Sequence, residues 1–202
     1  MKHKYQHNIT TTKLIICTIL VLAYSIAVGF AQQVKHVYPA FTTYWNAKTL
    51  IPDSVIYIAK PHKKVADRLP TFHVVGNMPN EDKDYAKSGY DQGHLCNASD
   101  ENGNATDEYN SFGQDNIFPQ TPQDNRLVWL GIENYVRQLA TKYGSVKVKI
   151  YWKGVEGYMG VDKVVIPAVC IKEIWYNGIH EEYDVPNTTT VNQHPFTYYK
   201  VK

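Results

Sequence analysis

Residues 88–97 read SGYDQGHLCN and bring an aspartate, a glycine and a histidine close together. A glycine favours a turn, which can present the imidazole of His94 beside the carboxylate of Asp91. Histidine is the side chain best suited to take a proton from water near neutral pH. A single histidine is more often structural or simply exposed, and the chain has eight. Only its neighbours mark His94 as a candidate base.

A second polar group recurs at every fourth position further along the chain. Asn125, Trp129, Glu133 and Arg137 share roughly one face if this segment is helical. The simplest interpretation is a solvated face with one glutamate–arginine pair. Asparagine weakens that interpretation, because it is a poor helix former that is tolerated when its side chain has another task. Together with His94, the group suits a metal-assisted attack of water on a phosphodiester.

The sequence predicts one long helix that carries the second group. Thr121 supplies a capping hydroxyl before Pro122, which suits the first helical position. Apolar residues then recur with helical spacing from Val128 to Leu139. Gly144 provides a stop. We therefore expect the helix to run from about residue 121 to residue 143.

The remaining pattern predicts antiparallel strands around this helix. Alternation in SVIYIA (54–59) and VKVKIYWKG (146–154) is typical of half-buried strands, and residues 164–176 and 181–187 predict two more. DQGHL predicts a short strand that ends in a sharp turn, and residues 76–90 predict a polar surface loop. No repeat or low-complexity linker interrupts the chain after residue 35. We expect a single α+β domain over residues 35–202.

The two polar stretches resemble the motifs of the DNA/RNA non-specific endonucleases, which are ββα-metal (His-Me finger) nucleases. SGYDQGHL is similar to the family's Asp-Arg-Gly-His motif. The second family segment is matched in order, over Asn116, Pro119, Gln120, Asn125, Trp129, Glu133 and Arg137. SVIYIA, Arg68 with Phe72, and VPN at residues 185–187 are similar to weaker family features. The resemblance covers about residues 38–190 and implies an antiparallel sheet with a long helix that bears the metal.

The resemblance also implies how water and metal are handled. His94 would be the general base that activates water for in-line attack on phosphorus. Asn125 would be the one direct protein ligand of Mg²⁺, with Mn²⁺ as the alternative ion, since both prefer oxygen donors. Glu133 would hold the waters bound to the metal. The products would carry 5′-phosphates.

Four further residues match the family's supporting positions. Arg137 and Arg68 would face the phosphate and the charge that develops on it. Asp91 and Asn116 would orient the site. The expected substrates are DNA and RNA without sequence specificity, because the sequence contains nothing similar to a base-reading helix and contacts to phosphate carry no sequence information. An inhibitor protein is left open as a partner.

Gln92 stands where the family motif has arginine. Glutamine can donate a hydrogen bond but brings no charge, and loss of one transition-state donor costs about 3 kcal/mol, roughly a hundredfold in rate. This departure predicts a slower enzyme, or one compensated by a neighbouring cation. It also leaves open a nucleic-acid-binding protein of nuclease fold with weak or no turnover. A metal-dependent hydrolase of another exported phosphoester is the third alternative.

The first 31 residues resemble an export signal. Three lysines precede an almost unbroken apolar run from residue 14 to residue 30, and small residues at Gly29 and Ala31 favour cleavage after Ala31. The chain would then be secreted or periplasmic. If the signal is not cut, residues 14–31 would anchor it to a membrane.

Removal of the signal also changes the charge and cysteine counts. It leaves 18 basic and 19 acidic residues, a formal net charge of −1, so any nucleic-acid binding must come from a local patch. Two cysteines remain, Cys96 and Cys170. A disulfide between them and two buried thiols are equally compatible with the sequence.

Overall fold

The computed structural model describes residues 33–79, 82–101 and 103–202. The predicted signal of residues 1–31 lies outside this part of the chain. The described strands form a six-stranded antiparallel sheet and a separate two-stranded sheet. In chain order the strands are β1 (Gln33–Val37), β2 (Phe41–Asn46), β3 (Ile51–Ala59), β4 (Asp91–His94), β5 (Ile117–Gln120), β6 (Val146–Met159), β7 (Val164–Tyr176) and β8 (Ile179–Pro186).

The large sheet has the order β1-β2-β3-β6-β7-β8, so every neighbouring pair except β3–β6 consists of strands that are consecutive in the chain. The period of two in β3 places Val55, Tyr57 and Ala59 on the covered face, where all three are buried. The strands predicted over residues 54–59, 146–154, 164–176 and 181–187 are confirmed as β3, β6, β7 and β8. β1 and β2 were not predicted.

Within the part of the chain that the structure describes, the α-helices are short except for one. They are α1 (Asp82–Tyr85), α2 (Ala98–Glu101), α3 (Ala105–Ser111) and α4 (Leu130–Tyr143). Single 3₁₀ turns occupy Gln114–Asn116, Val191–Gln193 and Phe196–Tyr199. α4 crosses the covered face of the large sheet, and its residues Ile132, Val136 and Leu139 join the hydrophobic core with β3, β6 and β7. This burial fixes the helix over the sheet.

The predicted long helix is present, but its first part is π-helical. The Thr121 hydroxyl accepts a hydrogen bond from the Asp124 backbone N–H at 3.3 Å, as expected of a cap. The segment Asp124–Trp129 then follows π geometry before α4 begins. Gly144 ends α4 with φ of 87°, which confirms the predicted stop. Such π segments within helices are frequent at functional sites.

The prediction of a surface loop over residues 76–90 is wrong in part. This region contains α1, whose Asp84 and Tyr85 are buried. The buried Asp84 accepts a hydrogen bond at its Oδ1 from the backbone N–H of Asp162 at 3.1 Å. This bond links the segment to the β6–β7 turn. A polar, turn-rich sequence cannot reveal such a long-range contact.

Two further observations concern export and the thiols. No helix among the described residues is both long and apolar enough to cross a membrane. Cys96 and Cys170 are both buried, and they do not form a disulfide with each other. The second of the two interpretations of these cysteines is therefore correct.

Candidate active site

The two-stranded sheet presents the first motif. β4 pairs with β5 in antiparallel register, with Asp91 opposite Gln120 and His94 opposite Ile117. Gly93 is required here by close packing, since a Cβ at this position would lie 1.9 Å from Gln120 Oε1. The glycine therefore lets β5 and its glutamine side chain approach β4. The predicted short strand is confirmed, and it places Asp91 and His94 at opposite ends.

His94 is held between two aromatic rings. Its ring centroid lies 4.7 Å from that of Phe72 and 4.8 Å from that of Phe112. Only 8% of the residue is exposed, and Nε2 has no hydrogen-bond partner within the described chain. Burial and, to a smaller extent, the positive charge of Arg68 together lower the pKa of His94 to about 3. The imidazole is therefore neutral at physiological pH and can accept a proton.

Asp91 organises the start of the helix that carries Asn125. Its Oδ2 accepts a hydrogen bond from Asn125 Nδ2 at 3.0 Å. The Arg126 guanidinium donates to the same carboxylate twice, through Nε at 2.8 Å and Nη2 at 2.6 Å. Burial alone would raise the pKa of Asp91, but the hydrogen bonds from Arg126 and Asn125 lower it overall. Asp91 is thus an ionised acceptor.

This carboxylate determines which way the Asn125 amide faces. An ionised carboxylate can only accept hydrogen bonds, so the amide nitrogen of Asn125 must face Asp91. The carbonyl Oδ1 then points away from Asp91, and within the described chain no group donates to it. The Asn125 residue is partly exposed to solvent. An outward-facing amide oxygen is a suitable ligand for a hard cation such as Mg²⁺.

Glu133 is buried beneath this region. Asn97 Nδ2 donates to its Oε2 at 2.8 Å, and Lys172 Nζ lies 3.9 Å from Oε1, beyond hydrogen-bonding distance. Burial raises the pKa of Glu133 to about 7, although the charge of Lys172 opposes the rise. Lys172 itself is fully buried over the Trp129 ring at 4.1 Å. The interpretation of the four-residue stripe as a solvated face is therefore wrong for Trp129 and Glu133.

The two predicted phosphate-facing arginines occupy different surroundings. Arg137 Nη1 donates to Asp100 Oδ1 at 3.1 Å, and Asp100 is fixed in turn by the Tyr57 hydroxyl at 3.0 Å. Arg68 is exposed and lies over the Phe112 ring at 5.1 Å. Its charge lowers the pKa of both His94 and Glu133. The charge of Arg68 therefore acts on both the candidate base, His94, and the candidate acidic residue, Glu133.

Asn116 supports the backbone rather than facing an open site. Its side chain is fully buried, accepts the Cys96 N–H at 2.8 Å, and donates to the Cys96 and Ser111 carbonyls, each at 2.8 Å. These bonds fix the chain immediately after His94. The role of Asn116 in orienting the site stays a prediction. Gln92, which stands where the family motif has arginine, donates through its Nε2 to Asp82 Oδ1 at 3.0 Å.

The described contacts gather the predicted site residues into two groups. Asp91 and Asn125 form one hydrogen-bonded group, to which Arg126 adds a cation. His94, Arg68 and Glu133 are linked by electrostatics, and Arg137 joins them because its charge also acts on Glu133. Among the described residues no hydrogen bond joins the two groups directly. Asn116 belongs to neither group, and its side chain holds the backbone just after His94 through its bonds to Cys96.

Sequence reasoning missed four residues at this site, which are Asn97, Asp100, Arg126 and Lys172. For Lys172 the strand period of two was a signal. Lys172 points to the same face of the strand as Cys170 and Ile174, which are both buried. Arg126 follows Asn125 directly, but nothing in the letters indicates that it reaches Asp91. Asn97 and Asp100 come into position only through the turn and short helix after β4.

A cluster of two glutamates and a histidine lies on the other face of the large sheet. Glu173, His180 and Glu182 place their ligand atoms within 4.8 Å of one another. His180 Nε2 is 3.0 Å from Glu173, whose other oxygen is 3.9 Å from Lys149. Because Lys172 faces α4, its neighbour Glu173 must face away. This ion-pair group is therefore separate from the candidate active site.

Comparison with known proteins identifies the family. A family model described as DNA/RNA non-specific endonuclease matches residues 23–201. The chain therefore belongs to this family, which confirms the resemblance found in the two motifs. The ββα-metal α+β fold expected from it is confirmed as well. The family consists of metal-dependent nucleases.

Curated relatives match over shorter segments. A nuclease of Nostoc sp. is 32% identical over 83 residues, or 41% of this chain and 30% of the relative. Human mitochondrial endonuclease G is 35% identical over 82 residues, or 41% of this chain and 26% of the relative. Zebrafish (Danio rerio) mitochondrial nuclease EXOG is 29% identical over 107 residues, or 53% and 31%. The chain thus spans only about a quarter to a third of these relatives.

A solved structure extends the fold similarity over most of the chain. A chain in the crystal structure of the EndoG/EndoGI complex, reported for the mechanism of EndoG inhibition, superposes with a TM-score of 0.73. The match covers 83% of this chain and 80% of the other, at 21% sequence identity. At this identity the similarity establishes the fold alone.

Proposed function

We propose that the chain is an exported, Mg²⁺-dependent endonuclease that hydrolyses phosphodiester bonds in DNA and RNA without sequence specificity and leaves 5′-phosphates. The observation that carries this proposal is the orientation of Asn125. Because Asp91 accepts the amide N–H, Oδ1 faces outward as a hard oxygen donor. Membership of the nuclease family and the nuclease relatives support the same conclusion.

The residues present fit a magnesium ion with one direct protein ligand. Asn125 would bind the ion through Oδ1, and Glu133, as a carboxylate, would hold its waters. When bound, Mg²⁺ supplies a positive charge that stabilises the leaving 3′ oxygen. Mn²⁺ has similar preferences and would substitute for it.

The chain itself supplies the base and the cations. His94 is neutral with an unpartnered Nε2, so it can take the proton from the attacking water. Arg68, exposed beside the His94 pocket, would face the phosphate and the negative charge that develops on it. Arg137, held by Asp100, would do the same from the helix. Since none of these groups reads a base edge, cleavage without sequence preference follows.

A direct assay tests this proposal. The chain without residues 1–31 is incubated with plasmid and with RNA, in Mg²⁺, in Mn²⁺ and in a chelator, and end-group analysis identifies the phosphate. We expect 5′-phosphate products, and we expect their loss in the chelator and in His94→Ala. His194→Ala, which removes an exposed imidazole, should retain activity. Cleavage that persists in chelator or in His94→Ala would refute the proposed mechanism.

A second candidate is a nucleic-acid-binding protein of nuclease fold with no turnover. The specific observation in its favour is that Gln92 brings no charge and donates to Asp82. Binding of labelled DNA without cleavage, by wild type and His94→Ala alike, would establish this candidate. An unrelated phosphoester substrate would be indicated by metal-dependent hydrolysis of a simple phosphodiester without nucleic-acid cleavage.

Export and an inhibitor partner are separate parts of the proposal. The basic, apolar and small residues of positions 1–31 support export, with Gln32 as the new N-terminus. Mass spectrometry of the protein recovered after expression distinguishes cleavage from a retained anchor at residues 14–31. The inhibited state of the EndoG/EndoGI structure motivates an inhibitor protein as a partner. Co-purification of a protein that blocks cleavage would identify it.

A further inference from the structure

We propose that Arg126 binds the nucleic-acid phosphate beside Asn125 and supplies the cation that Gln92 lacks. This inference rests on the proposed function, because it assigns a phosphate-binding residue to the same site. Gln92 and Arg126 lie on different elements, β4 and the π-helical segment, yet both are adjacent in sequence to a member of the Asp91–Asn125 pair.

The guanidinium of Arg126 is fixed in position and still accessible. Asp91 accepts two of its N–H groups, through Nε at 2.8 Å and Nη2 at 2.6 Å. A guanidinium carries five N–H donors in one plane, so three remain for another ligand. The side chain is 68% exposed, whereas that of Asp91 is 16% exposed. The unused donors are therefore available to a ligand from solvent.

The chemistry of this arrangement favours phosphate. Arginine matches phosphate oxygens with parallel N–H donors, and the bond is charge-assisted. The bidentate contact with Asp91 restricts the guanidinium before any ligand arrives, so less side-chain entropy remains to be lost on binding. Asp91 Oδ2 accepts from both Asn125 and Arg126, so both groups lie within hydrogen-bonding distance of one oxygen atom. A phosphate that approaches Asn125 would therefore meet Arg126.

A simpler alternative is that Arg126 only neutralises Asp91. Such a structural role predicts a loss of stability or of metal affinity but no change in the response of nucleic-acid binding to salt. If Arg126 contacts phosphate, its removal lowers the salt dependence of binding, because one fewer counterion is then released from the nucleic acid. The two roles are therefore separable by measurement.

Four variants test the inference in the full chain, expressed with its own N-terminal segment. They are Arg126→Gln, Arg126→Lys, Gln92→Arg with Arg126→Gln, and Lys142→Gln. The last removes the same charge from the exposed end of α4 and serves as the matched control. Thermal melts verify that each variant folds.

The first readout is cleavage of plasmid in Mg²⁺. We expect Arg126→Gln to lower kcat/KM by about a hundredfold, as for loss of one transition-state donor. Arg126→Lys should retain part of the activity, since it keeps the charge without the planar donors. Gln92→Arg in the Arg126→Gln background should recover at least tenfold. If wild type cleaves and His94→Ala does not, equal rates for Arg126→Gln and Lys142→Gln would overturn this inference and leave the proposed function intact.

The second readout is independent of turnover. In the His94→Ala background, fluorescence anisotropy with a labelled duplex measures binding against salt concentration. Removal of Arg126 should lower the slope of log K against log salt by about 0.9, the value for one phosphate contact on B-DNA. An unchanged slope would overturn the inference even if the chain proves to be a binding protein. If the unsubstituted chain binds no nucleic acid, the inference and the proposed function both fail.

Discussion

The candidate base His94 lies between aromatic rings and near a cation. The Phe72 and Phe112 rings exclude water from the imidazole, and Arg68 adds a repelling charge. Both effects keep the ring neutral. A pKa of about 3 favours the base form at all physiological pH values, but it also makes a weak base. The anionic phosphate of a bound substrate would raise this pKa towards the working range, so the base would gain strength when substrate is present.

The depressed pKa of His94 has a consequence for stability. Its folded pKa of about 3 lies below the unfolded value of 6.5, so below pH 6.5 the unfolded state binds a proton that the folded state does not. The folded state is therefore penalised as pH falls, by about 2 kcal/mol at pH 5 relative to pH 7.5. His94→Asn should remove this penalty.

Urea denaturation of wild type and His94→Asn at pH 7.5 and pH 5 measures the effect. The difference in unfolding free energy between the two proteins should shift in favour of the variant at pH 5. His194→Asn is the control, because that imidazole is exposed. A difference that is independent of pH would show that His94 is not held neutral by the fold.

Asp91 would act on the proposed metal site through Asn125. Asp91→Asn replaces an obligatory acceptor with an amide that can also donate, so the Asn125 amide loses its fixed orientation. We expect affinity for Mg²⁺ to fall by roughly 10–100-fold, the usual effect of losing a residue that orients a metal ligand.

Isothermal titration of Mg²⁺ and the dependence of cleavage on Mg²⁺ concentration measure this change. Asp53→Asn, which alters a carboxylate bonded to Asn46 at the β2–β3 turn, is the matched control. Equal Mg²⁺ affinity in both variants would mean that Asp91 does not orient the ligand.

At the scale of elements, the close approach of β4 and β5 brings the motif together. The pair is short, four residues on each side, yet it carries Asp91 and His94. Its geometry depends on Gly93, because the Gln120 side chain occupies the space where a Cβ would stand. Gln120 in turn donates to Asp124 at 2.9 Å, which leads into the helix. The glycine of the motif is therefore a packing requirement.

Gly93→Ala should disrupt this junction. The added methyl would displace the Gln120 side chain and with it the bond to Asp124, at a cost of about 1–3 kcal/mol. Thermal and urea unfolding measure the loss, and cleavage rates should fall with it because β4 moves. Gly157→Ala in β6 is the control, since its Cβ would meet only Ile166 at 3.9 Å. Equal stability of the two variants would contradict the packing argument.

At the scale of the whole molecule, the large sheet places a buried lysine beside Glu133. Lys172 in β7 is fully buried beneath α4, over the Trp129 ring and 3.9 Å from Glu133. Burial lowers its pKa, while the nearby carboxylates oppose this. The lysine in turn opposes the effect of burial on Glu133, whose pKa is raised to about 7. The sheet thereby helps to keep Glu133 available as a carboxylate.

Lys172→Met should therefore change the pH dependence of cleavage. Without the lysine the pKa of Glu133 rises further, so a smaller fraction is ionised at neutral pH. The acidic limb of the rate profile should move to higher pH, by about one unit or more, with recovery at alkaline pH. Lys149→Met removes a lysine that pairs with Glu173, on the other face of the sheet, and should leave the profile in place. An unchanged profile in Lys172→Met would show that the lysine does not support Glu133.

Much of the site was predictable because local chemistry restricts it. The Asp-x-Gly-His spacing, the Asn-Trp-Glu-Arg stripe, the cap at Thr121 and the stop at Gly144 each follow from contacts within a few residues. The strands β3, β6, β7 and β8 have long alternating or apolar runs, so their existence could be predicted. β1, β2 and the short helices lack such a signal, because their positions depend on pairing with distant residues.

Residue types and their spacings were sufficient to predict the family, the fold class and the side chains suited to hydrolysis. That Trp129 and Glu133 face a buried lysine, and that Asp91 contacts both Asn125 and Arg126, became evident only from the three-dimensional fold. These contacts join residues that are far apart in the sequence. Hydrogen bonds such as Asp91–Arg126 and the Glu133–Lys172 ion pair join residues 35 and 39 positions apart, and no periodic pattern encodes such contacts.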